Sequence, residues 1–113
     1  MFFGKEVRVW LKGQAKESFI DLKKRSDKES VSILNSVDRT IELLKNNPQF
    51  GDPIRKELIP DVFKKMGIKN LYRVELSNFW RMLYTLEGNR IEVLVFILTI
   101  SDHPFYDKLM GYK

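Results

Sequence analysis

The chain has 113 residues, 43% hydrophobic and 12% aromatic, which suits a single domain, residues 1–113, with one compact core. It has no cysteine, so disulfides, thiol catalysis and cysteine-ligated zinc are excluded. Lys and Arg number 20 against 15 Asp and Glu, and the charge of +5 favours an anionic partner: nucleic acid, an acidic protein or a membrane surface.

The first part of the chain predicts one strand and one helix. In Lys5–Leu11, Val7 and Val9 alternate with charged neighbours, as in a strand with one buried face, and Gly13 ends it. From Gln14 to about Arg25, apolar residues recur at helical spacing with lysines opposite, which indicates a short amphipathic helix.

A second helix is predicted from Ser30, its expected cap, to about Asn46. Its apolar stripe steps by three and four residues, through Leu34, Val37, Ile41 and Leu44. The break at Ser26–Ser30 is short, so the two helices are expected to form an antiparallel hairpin. A loop at Gln49–Pro60 and one helical turn at Asp61–Met66 are expected to follow.

Three strands are then expected, the first over Leu71–Leu76 and the second around Phe79–Leu86. The third, Arg90–Ile100, is apolar on both faces and is therefore expected in the centre of the sheet. A three-residue loop at Ser77–Phe79 separates polar from apolar faces best, because it pairs Glu75 with Arg81. It also requires a left-handed residue at Asn78 or Phe79.

The predicted fold class is α+β, in the order β-α-α-β-β-β, with a small, mainly antiparallel sheet backed by a helical hairpin. The helices are expected to cover one face and to leave the other partly open. Tyr72, Trp80 and Tyr84 belong to the covered face and are interpreted as core. Arg73, Glu75 and Arg81 are placed together on the other face.

In this order and spacing, the residues resemble the RelE/ParE toxin superfamily of toxin–antitoxin systems. The matching strings are N-N-P-x-x-G-x-x-I after the second helix, N-L-Y-R-V-E-L, W-R-M-L-Y, and D-H-x-x-Y-D-K-L after the last strand. The resemblance covers most of the chain and implies the fold above. RelE-like members cut mRNA on the ribosome, whereas ParE-like members inhibit DNA gyrase.

The resemblance also implies roles for individual residues. Arg81 matches the central catalytic arginine of the family, and Arg73 matches a strand residue that contacts RNA phosphate. Glu75 stands where RelE has a second lysine, a departure from its charge pattern. His103 and Tyr106 are similar to the histidine–tyrosine pair of the HigB- and YoeB-like branches.

Cleavage of RNA by attack of a ribose 2′-hydroxyl requires a base, an acid and cationic groups for the phosphate. Arg81 can give two parallel hydrogen bonds to phosphate oxygens, and His103 can act as acid or as base with Tyr106 or Glu75. Phosphate contacts without sequence reading are expected from further basic residues: Arg73, Lys69, Lys64 and Lys65. Tyr106 or Phe105 could instead stack on a base.

Simpler interpretations stay open for the same residues. Arg81 can pair with Glu75 as a structural contact, and His103 can be structural or solvated. Asp102 could form a dyad with His103, but neighbouring strand residues point to opposite faces, so it is expected to cap a terminal helix or coil. No metal-ligand spacing or phosphate loop is present, so no metal or cofactor is expected.

The function expected from the sequence is a ribosome-dependent mRNA endonuclease that needs no metal. Its expected partners are mRNA, the ribosome and a cognate antitoxin protein, with which it could form a heteromeric assembly. The alternative is a non-catalytic member: a gyrase inhibitor, or an inactive antitoxin-binding or RNA-binding module. Met1–Lys5 does not begin a signal peptide and Ile91–Ile100 is too short to cross a bilayer, so a cytoplasmic protein without membrane contact is expected.

Overall fold

A computed structural model describes residues 1–112. It confirms the α+β class and the helical hairpin that follows the first strand. The elements, in chain order, are β1 (Glu6–Leu11), α1 (Gly13–Lys24), α2 (Lys28–Asn46), β2 (Asp52–Pro53), α3 (Asp61–Lys64), β3 (Tyr72–Glu75), β4 (Arg81–Gly88), β5 (Glu92–Ser101) and α4 (His103–Met110).

The sheet has the strand order β1-β5-β4-β3-β2. β1 runs parallel to β5, and the other pairs are antiparallel. The middle strand of the five is β4, and β5 lies between β1 and β4, an interior position that fits its apolar character on both faces. The two-residue strand β2 was not predicted, because Asp52 and Pro53 have no strand pattern; they pair with Arg73 and Tyr72 inside the predicted loop.

The first face of the sheet packs on α1 and α2, as predicted. Its core combines helix and strand residues, including Leu22, Ile33, Val37, Leu44, Met82, Tyr84 and Ile97. The Tyr84 ring is fully buried and stacks on the Tyr72 ring with centroids 5.1 Å apart. The Tyr84 hydroxyl donates to the carbonyl of Pro48 and accepts from the N–H of Gly51, both at 2.8 Å, so it holds the loop before β2 against the sheet.

The cap of α2 differs from the prediction. Asp27, not Ser30, caps the helix, and its carboxylate accepts the backbone N–H of Ser30 at 2.9 Å. That hydrogen bond lowers the pKa of Asp27. A carboxylate at the positive end of a helix is favoured, and it leaves Ser30 buried in the first turn.

The second face of the sheet is more covered than the sequence predicts. Leu83 and Leu98 point to this face and bury against α3 and α4 in a second apolar cluster with Ile59, Phe63, Leu71 and Tyr106. Two buried leucines on adjacent strands need an apolar cover, which these short helices provide. The exposed polar residues of this face lie beside that cluster.

The β3–β4 hairpin has the predicted three-residue loop. Val74 pairs with Met82 and Glu75 with Arg81. Asn78 and Phe79 both have positive φ, at 57° and 62°, a conformation that non-glycine residues adopt at a cost. This loop fixes the register and therefore fixes which side chains face α4.

Alkaline pH is expected to destabilise the fold through Tyr84. Burial raises the pKa of Tyr84 to about 12, above its value of about 10 in an unfolded chain. Between these values the unfolded chain loses a proton that the folded protein keeps. The free energy of unfolding should therefore fall by up to about 1.4 kcal/mol per pH unit from this group.

Urea unfolding at about pH 9 and about pH 11 measures this term in the wild type and in Tyr84→Phe. All other titratable groups are common to both proteins, so the difference between their pH slopes isolates Tyr84. Equal slopes in the two proteins would show that Tyr84 does not contribute to the pH dependence.

Candidate functional site

The candidate site lies on the second face of the sheet, where two rows of side chains cross β3, β4 and β5. One row contains Glu75, Arg81 and Ser101, which occupy directly opposed positions. The next row contains Arg73, Leu83 and Thr99. Opposed residues of antiparallel strands share a face, so Arg81 has a carboxylate on one side and a hydroxyl on the other.

A β-bulge in β5 determines which β5 residues lie opposite Arg81 and Leu83 of β4. Leu83 pairs with Thr99 whereas Tyr84 pairs with Ile97, so Leu98 is an extra residue in β5. Without it, β5 would be displaced by one residue and Ser101 would leave the position opposite Arg81. Bulges of this kind re-aim side chains, and here the bulge places the Ser101 hydroxyl opposite Arg81 and the Thr99 hydroxyl opposite Leu83.

Arg81 is held firmly and is largely buried, with 14% of its side chain exposed. Its Nη1 donates to the carbonyl of Phe79 at 2.7 Å, which ties the side chain to the left-handed loop. Its Nη2 lies 3.8 Å from a carboxylate oxygen of Glu75. Glu75 is exposed, so this contact contributes little to stability, and Nη2 is available for another anion.

Arg73 lies beside Arg81 and is the more accessible of the two, with 32% of its side chain exposed. Its Nη2 is 3.7 Å from the exposed carboxylate of Asp52 on β2. The Tyr106 hydroxyl, which is close without a well-formed hydrogen bond, raises the pKa of Arg73, and Glu75 and Asp52 add to that effect. Two cationic side chains thus share one part of the face.

Tyr106 on α4 covers the two arginines. Asp102 caps α4 by accepting the N–H of Phe105 at 3.0 Å, as predicted, and the helix places Tyr106 against the sheet. The ring lies 5.7 Å from the guanidinium carbon of Arg81. Tyr106 is 2% exposed, so in this structure it cannot stack on a base, whereas Phe105 is exposed.

The Tyr106 hydroxyl is held in its protonated form. Burial raises the pKa of Tyr106, and the nearby Arg73 opposes that effect only in part. At neutral pH the group is therefore a hydrogen-bond donor rather than a base.

Five buried side-chain polar atoms in residues 1–112 have no hydrogen-bond partner, and all five belong to this region. They define what we call the polar patch: Nε of Arg73, Nε of Arg81, Oγ1 of Thr99, Oγ of Ser101 and the hydroxyl of Tyr106. Buried polar atoms are nearly always paired, and each unpaired one costs stability. Their concentration at one place is typical of a binding site.

His103 begins α4 and is exposed one helical turn before Tyr106. Its Nε2 lies 2.9 Å from the carboxylate of Asp107, four residues further along the helix. The dyad partner is thus Asp107 and not Asp102, whose side chain caps the helix. This contact orients the imidazole and leaves Nδ1 as the nitrogen available to a ligand.

The three predicted lysines lie outside the polar patch. Lys64 and Lys65 are exposed at the end of α3, and Lys69 is exposed in the segment before β3. The pKa of Glu57 is lowered mainly by a hydrogen bond from its own backbone N–H and next by Arg55. Lys64 makes a smaller contribution in the same direction. The structure therefore does not bring these lysines together with the two arginines of the patch.

Sequence reasoning missed Ser101, Thr99 and Asp107. The i, i+4 spacing of His103 and Asp107 was a usable signal, since residues four apart face each other on a helix. The two hydroxyls gave no such signal, because their positions depend on the bulge at Leu98.

Within the described chain, no group of three or more His, Asp and Glu side chains is arranged to hold a metal ion. None of the helices between residues 1 and 112 is long and apolar enough to cross a membrane. Comparisons with models of known protein families, with curated proteins and with solved structures returned no match. The RelE/ParE family therefore stays a prediction from the motifs.

Proposed function

We propose that the protein is the toxin of a toxin–antitoxin pair and cuts mRNA on the ribosome, using the RNA 2′-hydroxyl as nucleophile. The observation that supports this most is the polar patch on the second face of the sheet. There the Nε atoms of two arginines and the hydroxyl of a tyrosine are buried without hydrogen-bond partners. Donors of this kind suit a phosphodiester, which offers several acceptor oxygens. The net charge of +5 is consistent with a polyanionic substrate.

In the proposed reaction Glu75, exposed beside Arg81, accepts the proton of the 2′-hydroxyl. The 2′-oxygen forms a bond to phosphorus as the bond to the 5′-oxygen breaks, which yields a 2′,3′-cyclic phosphate. His103 gives a proton to the leaving 5′-oxygen. Arg81 and Tyr106 donate hydrogen bonds to the phosphate oxygens, where negative charge increases in the transition state.

The proposed partners are ribosome-bound mRNA and an antitoxin protein, and the proposed location is the cytoplasm. Ribosome-bound mRNA is the substrate, with Arg73 and the outlying lysines Lys64, Lys65 and Lys69 as phosphate contacts. A cognate antitoxin binds the protein and blocks the site in a heteromeric assembly. The protein acts in the cytoplasm, where ribosomes are found.

A second candidate is a non-catalytic member of the same superfamily, such as a gyrase inhibitor or an antitoxin- or RNA-binding module. Two contacts favour it: Arg81 already donates to the Phe79 carbonyl, and His103 already meets Asp107. Both side chains would keep those contacts without any substrate. A non-catalytic protein would keep its inhibitory or binding function when either Arg81 or His103 is replaced by alanine.

Cleavage of a defined message on programmed ribosomes tests the proposal. The wild type should cut, and His103→Ala should cut roughly tenfold to a hundredfold more slowly, at the low end for an acid–base group because solvent reaches this site. Lys108→Ala, an exposed change on the same helix, is the control. If the wild-type protein leaves the message intact on ribosomes of its own host, the proposed mRNA cleavage is refuted. Gyrase inhibition would then be measured.

A further inference from the structure

We infer that Ser101 is a ligand-binding residue: its hydroxyl donates a hydrogen bond to a tetrahedral oxyanion held by Arg81 and Arg73. Thr99 contributes a second hydroxyl beside it. The inference deepens the proposed function, which identifies the oxyanion as an RNA phosphodiester. The site itself requires only phosphate chemistry and can be tested without RNA.

The position of Ser101 supports this role. It pairs directly with Arg81 across β4 and β5, so its side chain lies next to the Arg81 side chain on the same face. Ser101 is 3% exposed and its Oγ has no partner in residues 1–112. The Nε of Arg81, the residue opposite, is also buried and also without a partner in residues 1–112. One acceptor within reach of both groups would satisfy them together.

Ser36 shows what a structural buried serine does in this fold. It is 5% exposed, donates to the carbonyl of Ile33 at 2.7 Å and accepts the N–H of Ser77 at 3.2 Å. Ser101 is buried to the same degree but makes neither kind of contact. An alanine at position 101 would avoid the cost of an unpaired hydroxyl, so packing alone does not account for serine there.

The chemistry of the polar patch selects the ligand class. The two arginine Nε–H groups can only donate, and the Tyr106 hydroxyl stays protonated. A site dominated by donors and by two positive charges suits an anion with several oxygens, and Ser and Thr hydroxyls complete its coordination. Arg73 is the most exposed residue of the patch, with 32% of its side chain exposed.

The test compares Ser101→Ala with Ser36→Ala, using inorganic phosphate as the probe and chloride at equal ionic strength as the reference. Thermal unfolding without phosphate should give opposite changes: Tm rises by about 2–5 °C in Ser101→Ala and falls in Ser36→Ala. Phosphate should stabilise the wild type and Ser36→Ala, and its affinity for Ser101→Ala should be lower by about tenfold. Thr99→Val, like Ser101→Ala, should raise the Tm without phosphate and lower the affinity for phosphate.

Three results would overturn the inference, and the first two concern Ser101→Ala: a Tm below that of the wild type, or a phosphate affinity within twofold of the wild type. The third is a wild-type Tm that phosphate raises no more than chloride does at equal ionic strength, which would mean that the protein has no specific phosphate site. Failure of the proposed function looks different. In that case phosphate binding depends on Ser101 while the wild type leaves the message on ribosomes intact.

Discussion

Replacing Arg81 with alanine is expected to lower the rate of message cleavage at least about a hundredfold, the usual effect of losing one donor to a transition-state oxyanion. Arg81 is the central residue of the polar patch, between Glu75 and Ser101 and beneath the Tyr106 ring. A lysine at this position keeps the charge but not the parallel pair of donors, so Arg81→Lys should recover only part of the rate. Single-turnover cleavage on programmed ribosomes measures both variants.

The structural role of Arg81 must be separated from its proposed catalytic role. Its Nη1 bond to the Phe79 carbonyl supports a loop with two left-handed residues, so Arg81→Ala should also lose some stability. Assays well below the measured Tm of each variant remove that effect. Arg8→Ala on β1, an exposed arginine in surface ion pairs, is the matched control and should cut within about twofold of the wild type. Equal rates for Arg81→Ala and Arg8→Ala would favour the non-catalytic candidate.

Replacing Gly51 with alanine is expected to lower the free energy of unfolding by about 2–4 kcal/mol. An added Cβ would lie 2.9 Å from both Cε1 and the hydroxyl of Tyr84, and 3.0 Å from the Arg73 carbonyl. Neither neighbour can yield easily, since the Tyr84 ring is fully buried and the carbonyl belongs to β3. The hydroxyl would also lose its short contact with the Gly51 N–H.

Urea unfolding measures this effect, with Gly88→Ala as the control. An added Cβ at Gly88 would meet the Glu92 carbonyl at 3.4 Å, an ordinary contact, so its stability should change by less than about 0.5 kcal/mol. A Gly51→Ala protein as stable as Gly88→Ala would mean that the loop before β2 shifts away from Tyr84 at little cost. Because β2 also supports Arg73, the Gly51 change should weaken phosphate binding as well.

The hairpin between β3 and β4 was predictable because its physics is local. Alternation of polar and apolar residues in Leu71–Leu76 and Phe79–Leu86 left one loop length that separates the two faces. That reasoning placed Glu75 opposite Arg81, as the structure has it. Long apolar runs carry similar information, and the interior position of β5, with a partner strand on each side, followed from its two apolar faces.

The remaining features depend on contacts that no local pattern encodes. Strand β2 exists because Tyr84 holds the loop through Pro48 and Gly51, a contact between residues more than thirty positions apart. The cover of the second face depends on Phe63 and Tyr106, from two separate short helices, joining one apolar cluster with Leu83. The hydroxyls of the polar patch depend on a bulge, and a one-residue insertion in a run of Val, Leu and Ile leaves the hydrophobic pattern unchanged.

The pairing of β1 with β5 has a consequence for synthesis of the chain. Gln14, just after β1, bonds both backbone groups of Ile100, and the two residues are 86 positions apart. During translation β1 has no partner strand, and α1 and α2 have no sheet to cover, until β5 has left the exit tunnel. The polar patch forms only then, since Ser101 ends β5 and Tyr106 follows it. A nascent chain therefore has no assembled polar patch until both β5 and Tyr106 have emerged from the exit tunnel.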